Sequence, residues 1–190
     1  MQKLPIYNVV LNKCDGVVKM SLVDFPAVES DFLAFAKEGS AEMKFSLDEE
    51  QRIVFGCALR ADFPIYRQGR DFAYYVVFNK ETIKELYEKF MIDGFQNRVN
   101  LQHQVEASGV YLIQSFIKNT EAGISPIGFE DINDGSWFVA YKVLNDEVWE
   151  DVKKGIFNGF SVELMADLEM LSDKNEEDEL YDLIRKILND

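Results

Sequence analysis

GIFNGFSVEL, residues 155–164, places a turn directly before a strand. Asn158 and Gly159 form a turn signal, and the residues after them alternate in the way that is typical of the entry to a strand. This run carries one hydroxyl side chain, Ser161, among apolar neighbours. A serine in that position is either an edge-strand residue whose hydroxyl has a structural hydrogen-bond partner, or a nucleophile held by a rigid strand.

Strand-like runs occur throughout the chain upstream of this stretch. They cover residues 6–11, 17–23, 43–47, 52–60, 72–78, 110–117 and 136–143. Two helices interrupt them, and each begins at a capping asparagine, Asn79 or Asn145. Because the strands come in runs and do not alternate regularly with helices, the sequence predicts a mainly β protein with peripheral helices (α+β), built as an antiparallel β-barrel or sandwich.

The chain has 190 residues, which is the length of one domain with a full core. We expect the domain to span residues 1–170. Residues 171–190 are predicted to form an acidic linker followed by an amphipathic helix over 179–188. The tail is open to two interpretations, a solvated segment with a docked helix or a removable or contact-making element.

Charge and composition exclude several classes of partner. The formal net charge is −14, so we expect neither nucleic acid nor an anionic membrane surface as a partner. No apolar run approaches the length of a membrane-spanning helix, and residues 1–5 lack the apolar core of a signal peptide. The two cysteines, Cys14 and Cys57, have no metal-binding spacing, so we expect idle thiols and no cofactor.

Ser161 and the single histidine, His103, form the most specific catalytic candidate. A serine hydroxyl needs a base within hydrogen-bond reach, and an imidazole is the side chain suited to that task near neutral pH. The acids Glu130, Asp131, Asp134 and Glu163 leave acid–base or metal-assisted hydrolysis open as an alternative. In a chain with 34 acidic residues, however, such groupings most simply form a solvated surface.

A longer set of segments forms a recognisable combination, made up of residues 22–32, 64–67, 74–78, 100–103, 110–117, 135–143 and 154–163, together with Trp149. This combination resembles the XkdF-type phage prohead proteases, which are capsid-maturation serine proteases. The similarity covers roughly residues 5–165, and the combination is more specific than any single segment.

The resemblance implies a herpesvirus-protease-like (assemblin-like) β-barrel ringed by helices. It also implies a serine endopeptidase that cleaves phage capsid and scaffold proteins, and itself, in the prohead within the bacterial cytoplasm. The family's histidine falls on His103 and its nucleophile on Ser161. For the third member the family comparison points to Gln114, with Glu163 and Asp131 as alternatives.

The neutral amide at Gln114 favours a rival hypothesis. A carboxylate stabilises an imidazolium better than an amide does, so a chain that relies on Gln114 could be a non-enzymatic, head-associated structural protein on the same fold. Whether the chain forms a homo-oligomer is left open by the sequence.

Overall fold

The computed structural model describes residues 4–12, 15–24, 33–35, 51–69 and 71–188. The strands are β1 (Ile6–Val10), β2 (Gly16–Val23), β3 (Leu33–Phe35), β4 (Ile53–Leu59), β5 (Ile65–Gln68), β6 (Ala73–Val77), β7 (Val99–Leu101), β8 (Val105–Glu106), β9 (Val110–Ile117), β10 (Trp137–Val143), β11 (Gly159–Met165) and β12 (Asp167–Met170). The helices are α1 (Lys80–Ile92), α2 (Asp146–Lys153) and α3 (Lys174–Ile187). The strand predicted over 43–47 and Cys14 lie outside the described residues.

The strands form three four-stranded sheets. Their orders are β12-β1-β6-β5, β3-β4-β10-β9 and β11-β2-β7-β8. The pairs β1/β6 and β2/β7 are parallel, whereas the other pairs are antiparallel. The mainly β class with peripheral helices is therefore confirmed. The predicted antiparallel barrel was wrong, because the described strands form three mixed or antiparallel sheets and do not close on one another.

The core is built around β10, which lies between β4 and β9. Every residue of this strand except Lys142 is buried. Its first residue, Trp137, packs edge-on against Phe90 of α1, with ring centroids 5.3 Å apart. Further along, Phe138 stacks on Phe55 of β4 at 5.7 Å. Truncating such a buried aromatic side chain to alanine costs about 3–5 kcal/mol of stability, so these rings of β10 contribute strongly to its packing with α1 and β4.

Both internal helices begin where the sequence predicts. The Asn79 side chain accepts a hydrogen bond from the Thr82 amide, and Asn145 accepts one from the Val148 amide. Each bond satisfies an amide that the helix itself leaves without a partner. Helix α2 ends at Lys154, and Gly155 follows with φ of 71°, a left-handed conformation that glycine adopts without steric cost.

The C-terminal helix begins earlier than predicted. Asp173 caps it through the Asn175 and Glu176 amides, so part of the predicted acidic linker forms its first turns. Its buried residues Leu180 and Ile184 pack with Ile6 of β1 and Val77 of β6. The helix is thus docked on the first sheet. The boundary between a domain over residues 1–170 and a tail over residues 171–190 stays a prediction.

Candidate functional site

His103 lies on a tight turn between β7 and β8. The amide of Gln104 donates to the carbonyl of Leu101 at 3.0 Å, and the two central residues, Gln102 and His103, have φ of 52° and 57°. Two consecutive positive φ values are those of a type I′ turn. Histidine is among the non-glycine residues that tolerate this region, but each such residue stores on the order of 1–3 kcal/mol of strain.

The turn is fixed to the neighbouring strand. The Gln102 amide donates to the Leu22 carbonyl of β2 at 3.0 Å, directly beside the imidazole. Strands β2 and β7 also pair in parallel, with Ser21 opposite Asn100. The strained turn is therefore held on both sides, and the direction of the His103 side chain is set by the sheet.

Polar side chains form a row across this third sheet. Ser161 on β11 is the register partner of Ser21 on β2, which in turn is the partner of Asn100 on β7. Directly opposed residues project from the same face of a sheet. Glu163 follows Ser161 by two positions and so shares that face. The row brings together two hydroxyls, an amide and a carboxylate beneath His103.

The His103 imidazole contacts two members of this row. Its Nδ1 lies 2.8 Å from Ser21 Oγ and 3.1 Å from Glu163 Oε1. The Asn100 amide group also donates to Glu163 Oε1. Ser21 is fully buried, whereas the side chains of His103 and Glu163 keep 40% and 31% of their exposure. In the described part of the chain, no hydrogen bond joins Ser161 to His103.

Glu163 is the ionised partner in this cluster. Partial burial raises the pKa of its carboxyl, but the hydrogen bonds from Asn100 and His103 and the nearby charge of Lys19 outweigh that effect. The net result is a pKa below the ordinary value for glutamate. A carboxylate can only accept, so Nδ1 of His103 carries the proton and the basic lone pair lies on Nε2.

Gln114 lies in a different sheet from this arrangement. It is exposed on β9, where it pairs with Ala140 of β10 in a different sheet. The structure therefore brings His103 and Glu163 together and does not bring Gln114 to the imidazole. The period-two spacing of Ser161 and Glu163 along the chain is the sequence signal that places the Glu163 carboxylate on the face of β11 that holds Ser161.

The other candidate acids are dispersed around a loop. Asp134 accepts from Thr120, and Asp131 pairs with Arg60 at 3.6 Å. The Glu130 carboxylate accepts from the Gly128 amide. No group of three or more His, Cys, Asp or Glu residues with metal-binding geometry occurs among the residues that the structure describes. These contacts account for the acids as elements of loop structure.

Cys57 is buried in the core. Burial raises the pKa of its thiol to about 12, so the thiolate is not populated at neutral pH.

Ser161 also borders a small cavity of about 30 Å³. Apolar side chains line most of it, including Leu59 of β4, Ile65 of β5 and Val162 of β11. Arg67 of β5 contributes a positive charge to the lining. Ser161 therefore belongs to the polar row and is also one of the residues that line this partly apolar cavity.

Sequence reasoning missed Ser21 and the role of Asn100. Ser21 lies between the buried apolar residues Met20 and Leu22 of β2, and a polar residue at such a buried position needs a partner. Asn100 occurs in the segment 100–103 that carries the family resemblance, but only the pairing of β2 with β7 reveals that it reaches Glu163.

The site thus combines a half-buried serine, an imidazole and a carboxylate, which are the side-chain types that serine hydrolases use. The chain belongs to the family described as "Putative phage serine protease XkdF", whose model matches residues 42–169. It is 27% identical over 156 residues to the phage-like element PBSX protein XkdF of Bacillus subtilis strain 168. That alignment covers 78% of this chain and 52% of the relative, so the chain spans about half the length of the curated relative that it matches. No solved structure matches the chain.

No helix in the described ranges is both long enough and apolar enough to cross a membrane.

Proposed function

We propose that this chain is a serine endopeptidase in which Ser161 is the nucleophile and His103 is its general base. The observation that carries the proposal is the contact between His103 Nδ1 and Glu163 Oε1, at 3.1 Å, on the strand that also holds Ser161. Membership of a family named for a phage serine protease supports the same class of reaction.

The charge on Glu163 assigns the roles of the two imidazole nitrogens. Because Nδ1–H donates to the carboxylate, Nε2 is left to take the Ser161 proton as the hydroxyl attacks a peptide carbonyl. Nε2 then returns that proton to the leaving amine, and water hydrolyses the acyl-enzyme by the same route. Glu163 stabilises the imidazolium that forms in both steps, whereas Gln114 is exposed on another sheet and makes no hydrogen bond to His103 in the described part of the chain.

Two serines lie on the same face, and their burial distinguishes them. Ser21 hydrogen-bonds to His103 but is fully buried, so a substrate carbonyl cannot reach its hydroxyl. Ser161 is only half-buried and borders the cavity. Its hydrogen bond to the base forms when substrate binds, as is common for catalytic hydrogen bonds that are loose in the free enzyme.

The family resemblance supplies the biological part of the proposal. The substrates are capsid and scaffold proteins of a phage head, and the chain cleaves itself as well. The site of action is the immature head, assembled in the cytoplasm of the host bacterium. The proposal extends to a fold related to the herpesvirus assemblins, with three open sheets in place of a closed barrel.

A serine-directed phosphonate, followed by intact mass and peptide mapping, tests the assignment. We expect one adduct on Ser161 in the wild type and none in Ser161→Ala, while Ser115→Ala, a serine of β9 in another sheet, labels normally. Cleavage of co-expressed capsid protein should follow the same pattern. An adduct on Ser21 would overturn the choice of nucleophile.

One observation favours a second candidate, a non-enzymatic head-associated protein on the same fold. His103 Nδ1 is engaged by both Ser21 and Glu163, and Ser161 has no hydrogen bond to the imidazole in the described residues. This candidate predicts neither labelling nor cleavage by the wild type, so the same experiment separates the two.

A further inference from the structure

The cavity beside Ser161 lies between the edges of two sheets. Strand β11 ends one sheet and β5 ends another. Ile65 and Arg67 of β5 and Ser161, Val162 and Leu164 of β11 line the cavity, and the buried side chains of Leu59 and Phe78 add to its apolar wall. An opening between two strand edges that have no β partner among the described residues, lined in part by the proposed nucleophile, is suited to an extended peptide segment.

The Arg67 side chain projects from the face of β5 that lines the cavity. Side chains alternate along β5, so Ile65 and Arg67 share one face while Tyr66 and Gln68 share the other. A hydrogen bond from the Tyr66 hydroxyl to the Gln68 side chain, at 2.8 Å, agrees with that division. The alternation therefore places the guanidinium on the face of β5 that lines the cavity.

The Arg67 guanidinium has no counter-ion among the residues that the structure describes. Its one hydrogen bond goes to the carbonyl of the adjacent Tyr66, at 3.3 Å, and no carboxylate pairs with it in the described part of the chain. This is notable in a protein with 34 acidic and 20 basic residues. A guanidinium presents several donors in a planar fork that matches a carboxylate, so Arg67 is ready to bind one from outside the chain.

We propose that this cavity is a substrate subsite for an acidic side chain next to the scissile bond, with Arg67 as the specificity-determining residue. The inference rests on the proposed peptidase function. The apolar walls contact the methylene groups of a glutamate or aspartate, and Arg67 binds its carboxylate. Because the chain carries a net charge of −14, acidic peptides are otherwise repelled, and a local cation is required to select them.

A cleavage-specificity profile tests the subsite. Full-length protein is incubated with a synthetic peptide mixture that varies every position, and the products are identified by mass spectrometry. We expect the wild type to prefer Glu or Asp at one position flanking the cleaved bond by about tenfold, the value of one charge-assisted hydrogen bond. Arg67→Ala should lose the preference, and Arg67→Glu should reverse it toward Lys. Arg185→Ala, on the exposed face of α3, serves as the matched control.

A binding measurement separates failure of the subsite from failure of the proposed function. Ser161→Ala and Ser161→Ala/Arg67→Ala are titrated with two capped peptides that differ only in Glu or Gln. The subsite predicts tighter binding of the Glu peptide by Ser161→Ala alone. Cleavage without an acidic preference, or a preference that survives Arg67→Glu, overturns the subsite and leaves the peptidase intact. Absence of Ser161 labelling together with Arg67-dependent binding of the Glu peptide overturns the peptidase and supports the carboxylate site.

Discussion

Ser21 Oγ and His103 Nδ1 lie 2.8 Å apart although 82 positions separate the two residues in the chain. The contact joins a fully buried strand residue to the exposed side of a strained turn. The Glu163 carboxylate can only accept from the same nitrogen, so Nδ1 carries the proton and the Ser21 hydroxyl accepts there as well. This tautomer leaves Nε2 as the base.

Removal of the Ser21 hydroxyl tests whether this contact orients the imidazole. We expect Ser21→Ala to lower kcat about fivefold with little change in KM, because one neutral hydrogen bond is worth about 1 kcal/mol and no substrate atom reaches this residue. Steady-state peptide hydrolysis measures both constants across a range of pH. Ser115→Ala is the matched control, since Ser115 also has a hydrogen-bonded hydroxyl, to Trp137 Nε1 at 2.8 Å, but on a different sheet. Equal kcat values for both variants would show that Ser21 does not orient His103.

The partner of the imidazole is tested by comparing Glu163 with Gln114. Glu163→Gln keeps the shape of the side chain and removes the charge that stabilises the imidazolium, so kcat/KM should fall by about a hundredfold or more. Gln114→Ala should leave kcat/KM unchanged, because Gln114 is exposed on another sheet. Peptide hydrolysis at neutral pH measures kcat/KM for both variants. A large loss in Gln114→Ala with a small one in Glu163→Gln would restore the assignment that the sequence favoured.

Local features of the fold were predictable from the sequence. The capping asparagines Asn79 and Asn145 fixed the starts of two helices, since a cap requires only a few neighbouring residues. The alternating run at 136–143 identified β10. The pairing of strands was less accessible, because parallel pairs such as β1/β6 and β2/β7 join segments far apart in the chain, and no local pattern specifies them.

The candidate site, too, was predictable only where it depends on residues close together in the chain. Ser161 and Glu163 could be placed on one face of a strand because the spacing of two positions is local. The approach of Ser21 and Asn100 depends on the order β11-β2-β7, which the sequence did not reveal. Gln114 was selected by family resemblance, and only the assignment of its strand to another sheet separates it from His103.

The buried Lys118 offers a test of the fold that is independent of activity. It is 3% exposed, and its ammonium donates to the carbonyls of Phe129 at 2.9 Å, Ile132 at 2.5 Å and Glu130 at 3.4 Å. Lys118→Met keeps most of the stem but leaves those carbonyls without a donor, so we expect a loss of about 3 kcal/mol in the free energy of unfolding. Urea denaturation measures it, with Lys84→Met as the exposed control. Identical midpoints for the two variants would contradict this account of the loop.

The lowered pKa of Glu163 predicts how stability depends on pH. In the unfolded chain this carboxyl has an ordinary pKa near 4.5, whereas in the folded chain the pKa is lower. The unfolded state therefore binds more protons in that window, so the contribution of Glu163 is present above pH 4.5 and is lost as the pH falls through the folded value. A chain with Glu163 should lose more stability on acidification than the same chain with Glu163→Gln.

The comparison is made between the wild type and Glu163→Gln, because the hydrogen bonds from both Asn100 and His103 lower the pKa of the carboxyl. Urea denaturation of the two proteins is measured from about pH 5 downwards. We expect the difference in unfolding free energy to shrink over this range, since Glu163 becomes protonated in both the folded and the unfolded state. A difference that grows on acidification would mean that folding raises the pKa of Glu163, and that Glu163 is not held as the ionised partner of His103.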